Sequence, residues 1–213
     1  MIGILCEKDS AMRNFAAALG GRKGNYQNEE YVIATARGHL YGFIQDPDKQ
    51  VDPELASKYK SWSIKNLPWD ENDIQWNYEK KPKTADVLKD IKDSLKDCDE
   101  ICIATDDDPS GEGELLAWEI IGHLKLKVPR YTRMYFEDEA PASIQKAFKD
   151  RKLLGTDLGC MLEDPDYKKA QFRTKWDYLS MQWTRLAKAY SVGNEMPRQG
   201  RLKSAMVEIV GDQ

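Results

Sequence analysis

Long hydrophobic runs are missing from this 213-residue sequence. Its apolar stretches span only a few residues, whereas a membrane-spanning helix needs about 20. The first residues, MIGILCEKDS, also lack the charged start and long apolar segment of a signal peptide. We therefore expect a soluble, cytoplasmic protein with no membrane partner.

Cysteine is scarce, and neither internal repeats nor low-complexity tracts occur. The four cysteines are Cys6, Cys98, Cys102 and Cys160. Their spacing matches neither a zinc ribbon nor the disulfide framework of a small secreted protein. Cys98 and Cys102 flank the start of a predicted strand and have no second pair, so packing explains them better than zinc does. We predict reduced thiols and no zinc site.

The composition is that of a folded chain, with 41% hydrophobic and 32% charged residues. The net charge of −4 argues weakly against a nucleic-acid partner, but the average conceals an asymmetry. Between Tyr167 and Lys203 there are nine basic and two acidic residues, a local net charge of +7. Such a segment can neutralise phosphates, and it can equally be a solvated helix face, so charge alone leaves both interpretations open.

Strands alternate with helices over about the first 150 residues. The predicted strands are Ile2–Cys6, a strand, turn and return within Tyr31–Phe43, Glu100–Thr105 and Tyr131–Phe136. The predicted helices carry Met12 to Leu19, Val87 to Leu95, Leu115 to Leu124 and Pro141 to Phe148. This alternation predicts an α/β fold with a Rossmann-like, mainly parallel sheet flanked by helices, followed by a helical segment.

Two segments depart from the alternation. Residues 45–82 have no regular period, and we interpret them as a long connection tucked against the domain by Trp62, Trp69 and Trp76. Tyr167–Tyr190 is a long helical candidate that carries Trp176 and Trp183 at the same spacing as leucines. This spacing favours core packing of the two tryptophans over base stacking. A last helix is expected near Leu202.

An acidic loop carries most of the chemistry. The segment ATDDDPSGEGE, Ala104–Glu114, follows a predicted strand, and Glu7 follows the first one. Sites collect beyond the carboxyl ends of parallel strands, and Mg²⁺ prefers oxygen ligands. Five acids within nine residues would repel one another, by roughly 4 kcal/mol per close pair, without a cation. We predict a Mg²⁺ site formed by Glu7, Asp106, Asp108 and Glu112. An acidic helix start needs fewer carboxylates, and an EF-hand fits the spacing poorly.

Several segments, in order, resemble the TOPRIM domain of type IA DNA topoisomerases. They are CEKDSAMRNFAAALG, ARGHL, the ATD-x-D loop with Gly-Glu before a helix containing Trp118, RMYF, QFRTKWDYLSMQWTRLAKAY and PRQGRLKSAMVEIV. The resemblance covers nearly the whole chain. It implies a TOPRIM domain over residues 1–155 and, over 156–213, a basic helical start of the second topoisomerase domain. It also implies Mg²⁺ as cofactor, DNA, chiefly single-stranded, as partner, a monomer, and a place in the cytoplasm, which is the bacterial cytoplasm or nucleoid if the source is bacterial.

The resemblance also implies roles for individual residues. Glu7 matches the family's general acid or base, and Lys8 the lysine that approaches the scissile phosphate, so with Arg201 they are the expected catalytic residues. Arg133 matches a position used for DNA contact or for bracing the site. The expected DNA-contacting residues are Lys8, Arg173, Asp177, Arg185, Arg201 and Lys203. His39 and His123 receive no catalytic role.

The sequence departs from the family pattern, most importantly in the acidic loop and in its tyrosines. Pro109, Ser110 and Gly111 stand where the family has a single arginine, so the choice of metal ligands among Asp107, Asp108 and Glu112 stays open. The family's nucleophilic tyrosine lies in a later domain, and none of the ten tyrosines here has a matching motif. We expect an N-terminal fragment that does not relax DNA by itself. A metal-dependent TOPRIM nuclease and a non-catalytic single-stranded DNA-binding module are the alternatives.

Overall fold

The computed structural model describes residues 1–60, 64–67 and 69–190, with residue 64 and residues 182–190 described by their backbone alone. The described chain divides into two compact units. The first consists of residues 1–42 and 80–171. The second consists of residues 43–79 and the described chain from residue 172 onward.

Eight strands and seven α-helices follow one another along the described chain. In order they are β1 Ile2–Cys6, α1 Asp9–Leu19, β2 Lys23–Tyr26, β3 Glu29–Thr35, β4 Tyr41–Phe43, α2 Pro47–Gln50, α3 Pro53–Lys60, β5 Tyr78–Lys80, α4 Ala85–Leu95, β6 Glu100–Ala104, α5 Glu112–His123, β7 Arg130–Arg133, α6 Pro141–Lys149, β8 Lys152–Gly155 and α7 Pro165–Tyr190. Short 3-10 helices occupy Ile64–Asn66, Glu71–Asp73 and Leu158–Leu162.

A six-stranded sheet forms the centre of the first unit, in the order β2-β3-β1-β6-β7-β8. The four inner strands are parallel to one another, and the edge strands β2 and β8 are antiparallel to their neighbours. The predicted α/β fold with a mainly parallel sheet is therefore confirmed. Parallel strands bury both of their faces under helices, and every residue of β1 and β6 is buried accordingly.

The two faces of β1 pack against different helices. Ile4 and Cys6 belong to a core that includes Phe15 of α1 and Phe148 of α6. Gly3 points the other way, where an added Cβ would lie 2.5 Å from the side chain of Leu95 in α4. Successive side chains of a strand alternate between its faces, so this arrangement makes a helix–sheet–helix sandwich.

Three strands and one pairing differ from the expectation. The strands β2, β5 and β8 were not predicted, because KGNY, YEK and KLLG are too short and too exposed to give a strand pattern. The predicted return within Tyr31–Phe43 is also wrong as a pairing. Its second part, β4, pairs with β5 in a separate two-stranded sheet instead of folding back on β3.

The second unit has a core of its own. The segment predicted as an irregular connection contains helices α2 and α3, and its Tyr59 and Trp69 are buried with Phe43 and with Tyr178 of α7. These aromatic residues form a cluster within the second unit. The packing of this segment against the α/β domain by its tryptophans stays a prediction. Trp62 lies outside the described residues.

The predicted helix Tyr167–Tyr190 agrees closely with α7, but one of its tryptophans is exposed where the spacing predicted a buried side chain. Trp176 is 53% exposed, so the predicted core packing is wrong for this residue. Trp183 and the helix expected near Leu202 lie outside the described side chains and residues. Throughout the described chain, no helix combines the length and the apolar character that crossing a membrane requires.

The unit that contains the sheet continues past the expected domain boundary between residues 155 and 156. Asp164 accepts a hydrogen bond of 2.9 Å from the indole nitrogen of Trp118 in α5, and it also caps α7 by accepting from the backbone of Asp166 and Tyr167. These contacts keep the start of α7 in the first unit. The assignment of residues 1–155 and 156–213 to two topoisomerase domains stays a prediction.

Candidate functional site

The carboxyl ends of β1 and β6 lie side by side in the first unit. The strands are parallel and in register, with Cys6 opposite Ala104. Glu7 and Asp106 therefore leave the sheet at the same edge. The backbone N–H of Asp106 donates a long hydrogen bond of 3.4 Å to Oε2 of Glu7. The structure thus brings together the first strand's glutamate and the acidic loop.

Lys8 is paired with one of the predicted site residues, Asp106. It stands just before α1, and its Nζ lies 2.8 Å from Oδ2 of Asp106 and 3.7 Å from Oε1 of Glu139. The hydrogen bond to Asp106 is the main reason why the pKa of Lys8 is raised above its ordinary value. A lysine that is fully charged and 45% exposed at this edge can also approach an anion from solvent.

The carboxylate of Asp108 accepts its hydrogen bonds from within the acidic loop. Both the backbone N–H and the hydroxyl of Ser110 donate to Oδ1 of Asp108, the former over 2.8 Å. This local turn is closed by the N–H of Gly111, which donates to the carbonyl of Asp108 over 3.0 Å. Ser110 and Gly111 therefore hold Asp108 within its own turn.

Two glycines let the loop and the start of α5 come close to other backbone. Gly111 has φ +73°, a conformation that favours glycine, and a Cβ on it would collide with the carbonyl oxygen of Asp166. A Cβ on Gly113 would collide with the carbonyl oxygen of Asp106. The first turn of α5 is thereby packed directly against the loop's backbone.

Glu112, the first residue of α5, is bound to a histidine. Its Oε1 lies 2.7 Å from Nε2 of His39, and Nδ1 of the same ring is 3.8 Å from Oε2 of the buried Glu119. The histidine comes from the segment between β3 and β4. His39 was expected to have no catalytic role, and in the structure its ring holds the carboxylate of Glu112, a predicted metal ligand.

Glu114 and Arg133 form a buried ion pair beneath the loop. The guanidinium is fully buried and donates from Nε to Oε1 of Glu114 over 2.5 Å. Its other nitrogens donate to backbone carbonyls, including those of Thr105 and Met134, each over 2.7 Å. Burial raises the pKa of Glu114, and the guanidinium opposes that shift. Arg133 braces the loop from inside and is not accessible to DNA.

The acids of the loop therefore have separate surroundings and share no common partner. Asp106 is paired with Lys8, Asp108 with Ser110, Glu112 with His39, and Glu114 with Arg133. Asp107 lines an open cleft together with Tyr135 and Lys146. Within the described residues, no group of three or more histidine, cysteine or acidic side chains is arranged to hold a metal ion. The donors are chemically suited to Mg²⁺, but they are not assembled around one point.

The Toprim domain family matches residues 3–138, which includes β1, the acidic loop and β7. The chain belongs to the Toprim family. The matched residues include Glu7 and the whole of Ala104–Glu114.

Most of the chain is also similar to bacterial DNA topoisomerases of type IA. It is 30% identical over 201 residues to DNA topoisomerase 1 of Alkalihalophilus pseudofirmus, covering 90% of this chain and 26% of that protein. It is 34% identical over 155 residues to DNA topoisomerase 3 of Staphylococcus haemolyticus, covering 70% of this chain and 20% of that protein. The Toprim chain thus spans about a quarter or less of the length of these curated relatives.

The remaining predicted site residues lie in the second unit or outside the described chain. On α7, Arg173 is half-buried and Asp177 is exposed. The side chain of Arg185, and Arg201 and Lys203 altogether, fall outside the described parts. The structure brings together Glu7, Lys8 and Asp106 but gives no common arrangement for the predicted DNA contacts, which stay predictions.

Sequence reasoning missed the role of two Toprim residues, Glu114 and His39. Glu114 could have been found, because an arginine within a strand predicted to be buried requires a carboxylate partner, and the loop offers more acids than a Mg²⁺ ion needs. His39 carries no such signal, because its partner Glu112 lies 73 residues further along the chain.

Proposed function

We propose that this Toprim chain is the Mg²⁺-binding N-terminal part of a type IA DNA topoisomerase, an enzyme that cuts and rejoins single DNA strands through a tyrosyl-phosphate. The observation that carries the proposal is the contact between the Asp106 backbone and Glu7, with Lys8 bound to the same aspartate. These are the residue types that strand cleavage requires, at one edge of one sheet.

The proposed roles follow from the chemistry of the phosphodiester. When a tyrosine attacks the phosphorus, the departing 3′ oxygen needs a proton and the phosphate charge needs to be offset. Glu7 is the residue that exchanges this proton. The ammonium group of Lys8 offsets the charge of the phosphate, and Arg201 assists it. None of the ten tyrosines has a matching motif, so the 213 residues by themselves are expected to bind DNA without relaxing it.

Magnesium is part of the proposal. Glu7, Asp106, Asp108 and Glu112 are the residues that would hold it, since carboxylate oxygens are the ligands that Mg²⁺ prefers. The ion would organise the acids and the DNA backbone. Because Lys8, Ser110 and His39 now hold three of these carboxylates, those side chains have to exchange partners when a cation binds.

The proposed DNA partner is chiefly single-stranded. The basic segment that begins in α7 supports this, with Lys8, Arg173, Asp177, Arg185, Arg201 and Lys203 as the proposed contacts. We further propose that the chain is a monomer and that it acts in the bacterial cytoplasm.

The test is to give the whole chain a 5′-labelled single-stranded oligonucleotide with and without Mg²⁺, and to measure binding and cutting together. We expect binding that weakens with salt and no cutting. Each phosphate contact contributes a slope of roughly −0.7 in a plot of log affinity against log salt concentration. Lys8→Met should reduce this slope by about that amount.

A matched control keeps the test specific. Lys96 is paired with Asp93 on the surface of the same unit and is as exposed as Lys8, so Lys96→Met should leave the slope unchanged. Cutting that is lost in Glu7→Gln would favour the nuclease alternative. Failure of the chain to bind the single-stranded oligonucleotide at any salt concentration would contradict the proposal.

A further inference from the structure

An open cleft in the second unit is lined by aromatic side chains. Trp76 comes from the segment before β5, and Phe172 and Trp176 come from α7. Lys175, Glu71 and Asn72 add polar groups to the same cleft. We call it the aromatic cleft. None of these side chains belongs to the Glu7 edge or to the predicted DNA contacts.

The aromatic side chains of α7 are unusually open to solvent. Phe172 is 70% exposed and Trp176 is 53% exposed. They are four residues apart, which puts them on the same side of a helix. Burial of a large aromatic ring contributes more free energy than burial of most other side chains. Two exposed aromatic rings on one helix face therefore mark a surface that receives a ligand.

The dimensions favour a small, flat ligand. The cleft has a volume of about 230 Å³. Pockets for drug-sized molecules run from roughly 300 to 1,000 Å³, so this one suits a single ring system. Tryptophan and phenylalanine rings stack on the faces of nucleobases whatever the base, because every base has a π-face.

The polar groups suit the rest of a nucleotide. Nζ of Lys175 lies over the Trp76 ring, 4.9 Å from its centre, so a cation stands in the same cleft as the exposed rings of Phe172 and Trp176, where it can meet a phosphate. The carboxylate of Glu71 and the amide of Asn72 offer acceptors and a donor to the polar edge of a base. An apolar helix from a protein partner would offer no hydrogen-bonding or charged partner to Lys175, Glu71 and Asn72.

We propose that the aromatic cleft binds one unpaired base of a single-stranded nucleic acid. This inference rests on the proposed function and adds a base-stacking site to it. The cleft is separate from the predicted DNA contacts on the same helix. At about 100° per residue, Arg173 and Asp177 project roughly 130° away from the mean direction of Phe172, Lys175 and Trp176.

The experiment compares two fluorescein-labelled probes on the whole chain. One is a 12-nucleotide oligothymidylate, and the other is an abasic deoxyribose-phosphate strand of the same length. We expect roughly ten-fold tighter binding of the oligothymidylate, as one stacked base provides. Trp176→Ala and Phe172→Ala should each remove most of this preference while leaving the affinity for the abasic strand unchanged.

The control is Leu162→Ala, which removes an apolar side chain that is 58% exposed in the first unit and should change neither affinity. A 5-iodouracil probe identifies the place of contact, because light should cross-link it to the peptide that contains Phe172 or Trp176. Circular dichroism of each variant checks that it is folded.

The outcomes separate this inference from the proposed function. Equal affinities for the two probes, or a cross-link outside α7 and the Trp76 segment, would show that the aromatic cleft does not bind a base. The proposed phosphate binding would be unaffected by either result. Failure to bind either probe would overturn both. If Trp176→Ala abolishes self-association in sedimentation and leaves the preference for bases intact, the cleft is an interface between copies of the chain and the inference is wrong.

Discussion

Arg133 and Glu114 form an ion pair that is closed to solvent, with side-chain exposures of 0% and 3%. The guanidinium also donates to the carbonyls of Thr105 and Asp106, so the first residues of the acidic loop are fixed from below. A buried pair of this kind is costly to break, because removing one partner leaves the other as an uncompensated charge.

Arg133→Met should therefore destabilise the protein by about 3–5 kcal/mol. The measurement is the free energy of unfolding in urea, with the slope checked for two-state behaviour. Arg130→Met is the matched control, because Arg130 lies on the same strand but is exposed and stands 3.8 Å from Glu100. It should cost less than about 1 kcal/mol. A small loss for Arg133→Met would mean that Glu114 is neutral in the folded protein.

Gly113 and Gly122 offer a pair of substitutions within one helix. Gly113→Ala puts a Cβ against the carbonyl oxygen of Asp106 and should destabilise by about 1–3 kcal/mol. Gly122→Ala adds only an ordinary contact, 3.8 Å from Sδ of Met161, and should stabilise by up to about 1 kcal/mol through helix propensity. Thermal unfolding of the two variants should move the melting temperature in opposite directions, and a common direction would contradict the close packing of α5 on the loop.

Cys102 predicts a loss of stability at high pH. Burial raises the pKa of its thiol from 9.0 to about 12. Between these values the unfolded chain has lost the proton and the folded chain keeps it, so the folded state binds more protons and stability falls as pH rises. The loss is up to about 1.4 kcal/mol per pH unit.

Comparison with Cys102→Ala isolates this effect from other groups that titrate in alkali. Between pH 9 and 10.5 the unfolding free energy of the unsubstituted protein should fall by about 2 kcal/mol more than that of the variant. Cys160, whose thiol is partly exposed, should give a smaller difference when replaced in the same way. Parallel pH profiles for the protein and Cys102→Ala would count against a buried, protonated thiol.

Magnesium binding can be followed without any DNA. If Asp106 is a ligand, Mg²⁺ at ten times its dissociation constant should stabilise the folded chain by about 1.4 kcal/mol. Asp106→Asn should abolish this gain, and Lys8→Met should tighten Mg²⁺ binding because a competing ammonium is removed from the same carboxylate. Asp86→Asn, an exposed acid at the start of α4, should behave like the unsubstituted protein.

The position of the site was predictable from the sequence, but its internal pairing was not. Ile2–Cys6 and Glu100–Ala104 are short apolar runs followed at once by acids, and parallel strands present their carboxyl ends at one edge, so the meeting of Glu7 with Asp106 follows from local pattern. Asp108 is held by its neighbour Ser110, but the partners of Asp106, Glu112 and Glu114 come from other parts of the chain. Lys8 is 98 residues away from Asp106.

The same limit applies to the second unit. The spacing of Trp176 and Leu179 correctly predicted a helix, because periodicity reports which residues share a face. It does not report whether anything covers that face, and here Trp176 is left open. Edge strands such as β2 could not be predicted for a related reason. An exposed strand with few apolar residues has no alternation of apolar and polar residues to detect.

The separate pairing of the loop's acids bears on how this sequence can diverge. Lys8, Ser110, His39 and Arg133 come from four different segments, and each holds a different carboxylate. Substituting one of these four residues removes the hydrogen bond to one carboxylate and leaves the other three hydrogen bonds in place. The sequence can therefore change at one of these positions without disturbing every acid of the loop at once.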